Sequence, residues 1–447
     1  MLELSYKKIL SITLPLMFGT LVQSIIVVTD TIFVSELGTV AFDAVGNGGI
    51  MYMALFMLCR GLGDGTQITI ARKLGEGKNA QIGEVLFNAQ IIQLFLSSFI
   101  FVVFFVFGQM IIEAISESKD IAIAMGDFLR YRSWGIFFAS LQVTMAAFFI
   151  GLGRTNVIIA STLIMASVNI FLDYSLIFGK FGFPEMGMVG APMASSISEA
   201  LTFCFLLLFA LRIPPFKKYQ FHLKQKLITS HIKSLLKLSY PLMFQGVISL
   251  STWLVFFTLI EHMGADELEA SQSIRIMYFF AFIPIFGFAA TTKTYVSNLV
   301  GQKRYDLIPK IQRRIALLSF LFIILFFHGS ILYPEAMISL INRNPDISPE
   351  VFNNSVSILR FISGSVFIFS LAIVPFHSVA ALGRTKISFL IELLAIVIYL
   401  IACYLFIVKW QWNVVEIWWV EYIYFIALGV FGLSYLYFYS PKQNVDA

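Results

Sequence analysis

The sequence predicts an all-α integral membrane protein, with twelve transmembrane helices in two six-helix lobes that repeat each other. Three observations carry this. Of 447 residues, 58% are hydrophobic and only 13% are charged, against ~25% charged in an ordinary soluble domain, and the mean hydropathy is +0.85. Twelve apolar runs along the chain are each long enough to cross a bilayer. The second half of the chain echoes the first at a nearly fixed offset.

The candidate spans run at roughly 9–34, 45–71, 84–107, 126–151, 157–178, 189–211, 235–261, 272–297, 315–333, 353–381, 388–408 and 417–438. Several exceed the ~20 residues a crossing needs, so tilt or kinks are expected. The N-terminus, MLELSYKKIL, lacks a short apolar core ending in a small-residue cleavage site, so the first run is expected to stay as a span.

Lysine and arginine set the orientation. Lys7, Lys8, RKLGEGK (72–78), Arg154, the stretch 212–233, QKRYDLIPKIQRR (302–314), Arg384, Lys386 and Lys442 fall on one side. Only Lys119, Lys180, Arg343 and Lys409 fall on the other. Both termini and the connection between lobes should therefore be cytoplasmic. The net charge of +5 resides in these loops, and no separate basic domain suggests nucleic-acid binding.

The repeat begins with SITLPLMFG (11–19), echoed by KLSYPLMFQ (237–245), with Pro15 matching Pro241. At the same offset of 226, Gly38, Ala44, Gly61 and Gly75 meet Gly264, Ala270, Gly287 and Gly301. At an offset of 230, LGRT (152–155) recurs at 382–385 and Arg130 meets Arg360. Each repeat holds an even number of spans, so both have the same topology, as in transporters with parallel repeats. The expected domains are an N-terminal lobe at 1–211, a cytoplasmic linker at 212–234 and a C-terminal lobe at 235–447.

Ionisable residues inside a span are functional candidates by default. Asp30 lies near the outer end of span 1. Asn169 and Asp173 stand four apart on span 5 and so share a face. With Ser195 or Ser198 of span 6 they would form an oxygen-only site. That chemistry suits a hard cation such as Na⁺. It equally suits H⁺, because two carboxylates held together in low dielectric resist being ionised at once.

Pro15 is either a hinge that moves Asp30 relative to Asp173 or a helix-start proline. Arg60 and Asp64, four apart on span 2, are expected to pair near the cytoplasmic surface or to form a gate. Arg130, Arg132 and Arg360 near the outer ends, and Lys293 near an inner end, are expected to snorkel to the interface. His377 follows Pro375 on span 10, where a proton-linked role is open. Trp410, Trp412, Trp418 and Trp419 read as an interfacial belt. Cys59, Cys204 and Cys403 lie in apolar runs without disulfide or zinc spacing. No P-loop, nucleophile elbow or Cys/His cluster points to an enzyme, and no covalently bound cofactor is implied.

The segments LPLMFGTLVQSIIVVTDTIFVSELG (14–38), ARKLGEGK (71–78), GLGRT (151–155), VNIFLDYSLIFG (168–179) and GMVGAPMASSISE (187–199) resemble the multidrug and toxic compound extrusion (MATE) family. With the second-lobe echoes, the likeness covers essentially the whole chain. It implies two six-helix lobes around a central cavity, V-shaped in section. It further implies antiport of amphipathic, usually cationic, small molecules against Na⁺ or H⁺ by alternating access, with a monomer working in the bacterial inner membrane. In the family pattern Asp30, Asn169 and Asp173 make the N-lobe cation site, and a span 6 hydroxyl, matched here to Ser195, completes it. Residues 241–260 and 351–391 contain no Asp or Glu, unlike one branch of the family. The chain looks more like the DNA-damage-inducible (DinF-like) branch, and a C-lobe cation site is not expected.

Two other classes of function are open to test. A flippase for lipid-linked saccharides would use Arg60, Arg130 and Arg360 to hold an anionic headgroup. A membrane scaffold or receptor would tolerate loss of the buried acids.

Overall fold

The structure, a computed structural model, describes residues 2–115, 118–212, 214–222, 225–341 and 347–438. Lys224, Arg343 and Lys442, used above to orient the chain, lie outside the described residues. The long helices are α1 (Tyr6–Ser35), α2 (Thr39–Gly75), α3 (Asn79–Ile115), α4 (Lys119–Gly151), α5 (Asn156–Ile177) and α6 (Gly190–Arg212), followed by α7 (Thr229–Glu261), α8 (Ala265–Gly301), α9 (Ile308–Phe327), α10 (Pro349–Ala381), α11 (Thr385–Cys403) and α12 (Trp419–Phe438). Among the described residues there is no strand.

Eleven of these helices, among the described residues, are long and apolar enough to span a membrane. The exception is α9, where twelve spans were expected. Lys310, Arg313 and Arg314 occupy its first two turns, and it ends at Phe327. One of these charges is used at that end: the Arg314 guanidinium donates to the Leu4 carbonyl and lies 5.1 Å from the centre of the Tyr6 ring.

The repeat is visible in the helix ends. α2 and α8 have the same length, 37 residues, and start one residue after Gly38 and Gly264. α4 and α10 are both 33 residues long. The LGRT segments close these two helices, with Gly153 at φ 64 and Gly383 at φ 86. These left-handed positions let Arg154 N–H reach back to the Phe149 carbonyl and Arg384 N–H to the Val379 carbonyl, the closing pattern for which glycine is suited.

The chain divides into two compact units, one made of residues 14–247 and the other of residues 2–13 and 248–447. In the first, α4 is the central helix, packed by α2, α3 and α6, with α5 against α6. In the second, α10 takes that place, packed by α8, α9 and α12, with α11 against α12. The first turns of α1 belong to the second unit, where Thr13 Oγ1 meets Thr291 Oγ1 at 2.8 Å and Tyr295 donates to the Glu3 carbonyl at 2.8 Å. The early half of α7 belongs to the first unit, where Gly61 and Gly65 lie directly against Met243 and Ser239. The boundary on α1 falls at Thr13–Leu14, beside Pro15.

Pro15 sits in the interior of α1, more than two turns past its start, so the helix-start reading fails. It deletes one helical hydrogen bond there. Two other expectations change. Lys293 does not snorkel but is buried, with 6% of its surface exposed. Trp418 is not part of an interfacial belt but fully buried, with its ring 5.1 Å from Phe256 and 5.8 Å from Tyr278. Trp410 and Trp419 are exposed, as are Arg60 and Arg130.

Close backbone packing is the main source of helix association where lipid replaces water. A Cβ at Gly61 would lie 2.4 Å from the Met243 backbone, whereas a Cβ at Gly46 meets nothing within 4 Å. Gly61→Ala should therefore destabilise the protein by about 1–3 kcal/mol through overpacking, while Gly46→Ala should be neutral or stabilising. Melting of the two variants in detergent checks this. Equal midpoints would contradict the packing described.

Candidate functional site

The site is assembled by three helices of the first unit. On α5, Asn169 and Asp173 stand one turn apart, with 1% and 0% of their surface exposed. On α6, which packs on α5, Ser195 and Glu199 also stand one turn apart. α1 meets α5 in two places that bracket the acids. At Gly19 a Cβ would lie 3.3 Å from both Ile158 Cγ2 and Thr162 Oγ1. At the other end the Phe33 ring lies 6.0 Å from Tyr174 and 5.9 Å from Phe178.

Asp30 falls between these anchors, and its carboxyl lies within side-chain hydrogen-bonding reach of Asp173. Asn169 Nδ2 donates to Ser195 Oγ at 3.5 Å. Ser198 turns back on its own helix and donates to the Ser195 carbonyl at 2.9 Å. Ser195 is thus the α6 hydroxyl that meets Asn169.

Four oxygens of this group lack donors. Asp30 Oδ1, Asn169 Oδ1 and both carboxyl oxygens of Asp173 are buried and receive no hydrogen bond from the protein. Buried polar atoms are rarely left so, and two carboxylates face to face repel unless positive charge lies between them. A shared proton or a hard monovalent cation meets that requirement with oxygen ligands alone. Among the described residues, no group of three or more His, Cys, Asp or Glu side chains is placed to hold a metal ion.

Beside this group lies an ion pair the sequence reading missed. Arg132 does not snorkel. Its Nη1 and Nη2 donate to Glu199 Oε2 and Oε1 at 2.8 and 2.5 Å, and the two side chains are only 12% and 13% exposed. The other face of the guanidinium lies 4.2 Å from the centre of the Tyr52 ring. Gly135 makes room for the bridge, since a Cβ there would stand 2.4 Å from Arg132 Nη1 and 3.0 Å from Glu199 Oε2. The charges of both partners act on Asp30. In sequence, the usable signal was Glu199 itself, an acid on span 6 one turn after Ser195.

The second unit has buried acids as well, on α11 and α12 rather than on α7 and α10. Glu392 accepts from Ser249 at 2.6 Å and from Tyr424 at 2.5 Å. Glu421 accepts from Tyr399 at 3.1 Å. Both are 4% exposed. These carboxylates differ from the α1–α5 pair in that hydroxyl donors meet them.

Comparison with known proteins places these features. A sequence profile of the MatE family matches residues 15–175 and 241–405, two segments separated by the repeat offsets noted above. A protein of Thermotoga maritima named probable multidrug resistance protein NorM is 26% identical over 357 residues, 76% of this chain and 73% of its own length. Its namesake in Synechocystis is also 26% identical, over 79% of this chain and 77% of its own. Among solved structures, the outward-facing conformation of a multidrug resistance MATE family transporter of the MOP superfamily superposes with TM-score 0.88. It is 18% identical and covers 96% of this chain and 94% of its own. A MOP superfamily transporter from Pyrococcus furiosus, whose binding pocket is described as of reverse polarity, superposes with TM-score 0.86 at 17% identity, covering 98% and 97%. At these identities the structural likeness is one of fold.

Removing one member of a buried ion pair strands the other, at a cost of about 3–5 kcal/mol. Arg132→Ala should therefore lower the melting temperature of the purified protein strongly, and Arg132→Gln combined with Glu199→Gln should lower it much less. Similar melting of Arg132→Ala and wild type would contradict the buried bridge.

Proposed function

This chain belongs to the MatE family, and on that premise we propose that it is a secondary active exporter of amphipathic, cationic small molecules, driven by entry of Na⁺ or H⁺. Members of the family are membrane transporters rather than enzymes, and the chain is a multi-pass membrane protein. The observation that carries the proposal is the pair of acids, Asp30 and Asp173, held together with no protein donor. In the proposal Asp30, Asp173, Asn169 and Ser195 bind the coupling ion. The relatives named as multidrug resistance proteins support the substrate class. The lysine and arginine bias supports cytoplasmic termini, and the bacterial relatives support placement in a bacterial inner membrane. The domain reading is likewise retained as a proposal, with lobes at 1–211 and 235–447 joined by a linker at 212–234.

Coupling requires that ion and substrate each favour a different state. With the ion bound, the acids are neutralised and α1 can lie close against α5. Without it, they repel, and the bond missing at Pro15 is where α1 would bend. Substrate then binds to the ion-free state and leaves when the ion returns, while the site is exposed alternately to the two sides. Pro15 is in this way proposed as the hinge.

The test uses purified protein in liposomes, with ethidium as the transported cation, under an imposed Na⁺ gradient and then an imposed pH gradient. Wild type should move ethidium under one of them, and Asp30→Asn and Asp173→Asn should each lower that rate at least tenfold. Wild-type rates in both folded variants would refute the proposed ion site. No movement by folded wild type under either gradient would favour flipping of a lipid-linked saccharide instead.

A further inference from the structure

The bridge between Arg132 and Glu199 has a built environment. It is bidentate and mostly buried, it is stacked on Tyr52, and Gly135 leaves space beneath it. Such a bridge could be purely structural, but its location argues otherwise. Glu199 is one turn from Ser195 on α6, and the charge of Arg132 acts on Asp30 as that of Asp30 acts on Arg132. The titratable and charged groups converging here are Asp30 of α1, Tyr52 of α2, Arg132 of α4, Asp173 of α5 and Glu199 of α6. Asp30 and Glu199 thus share one fixed cation, and Asp173 is linked to it through Asp30. When the coupling ion leaves, Arg132 is the positive charge still present.

We propose that Arg132 is a positioning residue for ion coupling, an internal counter-cation that competes with the coupling ion for Asp30 and is held in check by Glu199. The inference rests on the exporter reading above. In the ion-bound state Glu199 satisfies Arg132, and the acid pair is satisfied by the ion. In the ion-free state the guanidinium takes over part of the neutralisation of Asp30. A mobile cation in the solution is thereby exchanged for a tethered one, so a fully uncompensated acid pair never has to exist in low dielectric.

The signs of the effects follow. Glu199→Gln removes the check on Arg132, so the coupling ion should bind more weakly. Half-maximal ethidium transport should then need on the order of tenfold more Na⁺, or about one pH unit more acid, the scale of one unit charge acting across a protein interior. Arg132→Gln with Glu199→Gln removes the competitor without leaving a stranded charge, so half-saturation should shift the opposite way by a similar factor. Arg132→Lys keeps the charge and should keep the wild-type half-saturation even where it costs stability.

Initial ethidium rates in liposomes, titrated against Na⁺ and against pH for these three variants, are the experiment. Opposite shifts, with Arg132→Lys near wild type, are the expected result. Unchanged half-saturation in both folded variants, or shifts in the same direction, would overturn the inference and leave the bridge a structural brace. Asp30→Asn measured alongside separates the two levels. If it is inactive while the bridge variants show no shift, only this inference falls; if it transports like wild type, the exporter site itself falls.

Discussion

Two carboxylates on different helices, within hydrogen-bonding reach of each other and without a donor, are the constraint around which the first unit is organised. Carboxylates are costly in a membrane protein interior and are kept there when they are paired or used. Here the pairing is acid to acid, which calls for positive charge close by. The neighbouring features make sense as means of meeting that demand. Gly19 and Phe33 fix α1 on α5 to either side of Asp30. Asn169 and Ser195 extend the oxygen set onto α6. Arg132 and Glu199 add a charge pair whose field reaches Asp30.

The second unit is a useful contrast because it has the same scaffold. Its central helix α10 stands where α4 stands, with neighbours in the same order. It also buries two acids, Glu392 and Glu421. Yet those acids accept hydrogen bonds from Ser249, Tyr424 and Tyr399. A buried carboxyl supplied with hydroxyl donors fits a packed network. One facing only another carboxyl fits a site that takes up a cation. Duplication supplied one helical framework, and the polar residues placed on it differ between the copies.

Much of this was legible in the chain. The shared ends of α4 and α10 follow from the two LGRT stops, because the left-handed glycines Gly153 and Gly383 close helices by local geometry, and α2 and α8 both start one residue after a glycine of the repeat. Asn169 and Asp173 share a face by helical period alone. Other features were hidden because they depend on contacts between distant segments. Arg132 lies near the end of its span, where an arginine ordinarily reaches for the interface, and only the packing of α4 on α6 brings it to Glu199, 67 residues away. Trp418 looked like its exposed neighbour Trp419, and the turn that leads into α12, which points Trp418 inward against Phe256 and Tyr278, decides between them. Arg314 in the second turn of α9 is explained by the N-terminal segment it binds, which sequence spacing does not reveal.

The central claim is that Asp30 and Asp173 hold an ion which substrate binding displaces. The most direct measurement is ion release from purified protein in detergent when tetraphenylphosphonium is added. Protons are followed with a pH indicator in weak buffer, and Na⁺ with a sodium-sensitive dye. Wild type should release one of the two ions in proportion to bound tetraphenylphosphonium, and the Asp30→Asn, Asp173→Asn double variant should release neither. Release that persists undiminished in the double variant would contradict the claim and move the coupling site elsewhere.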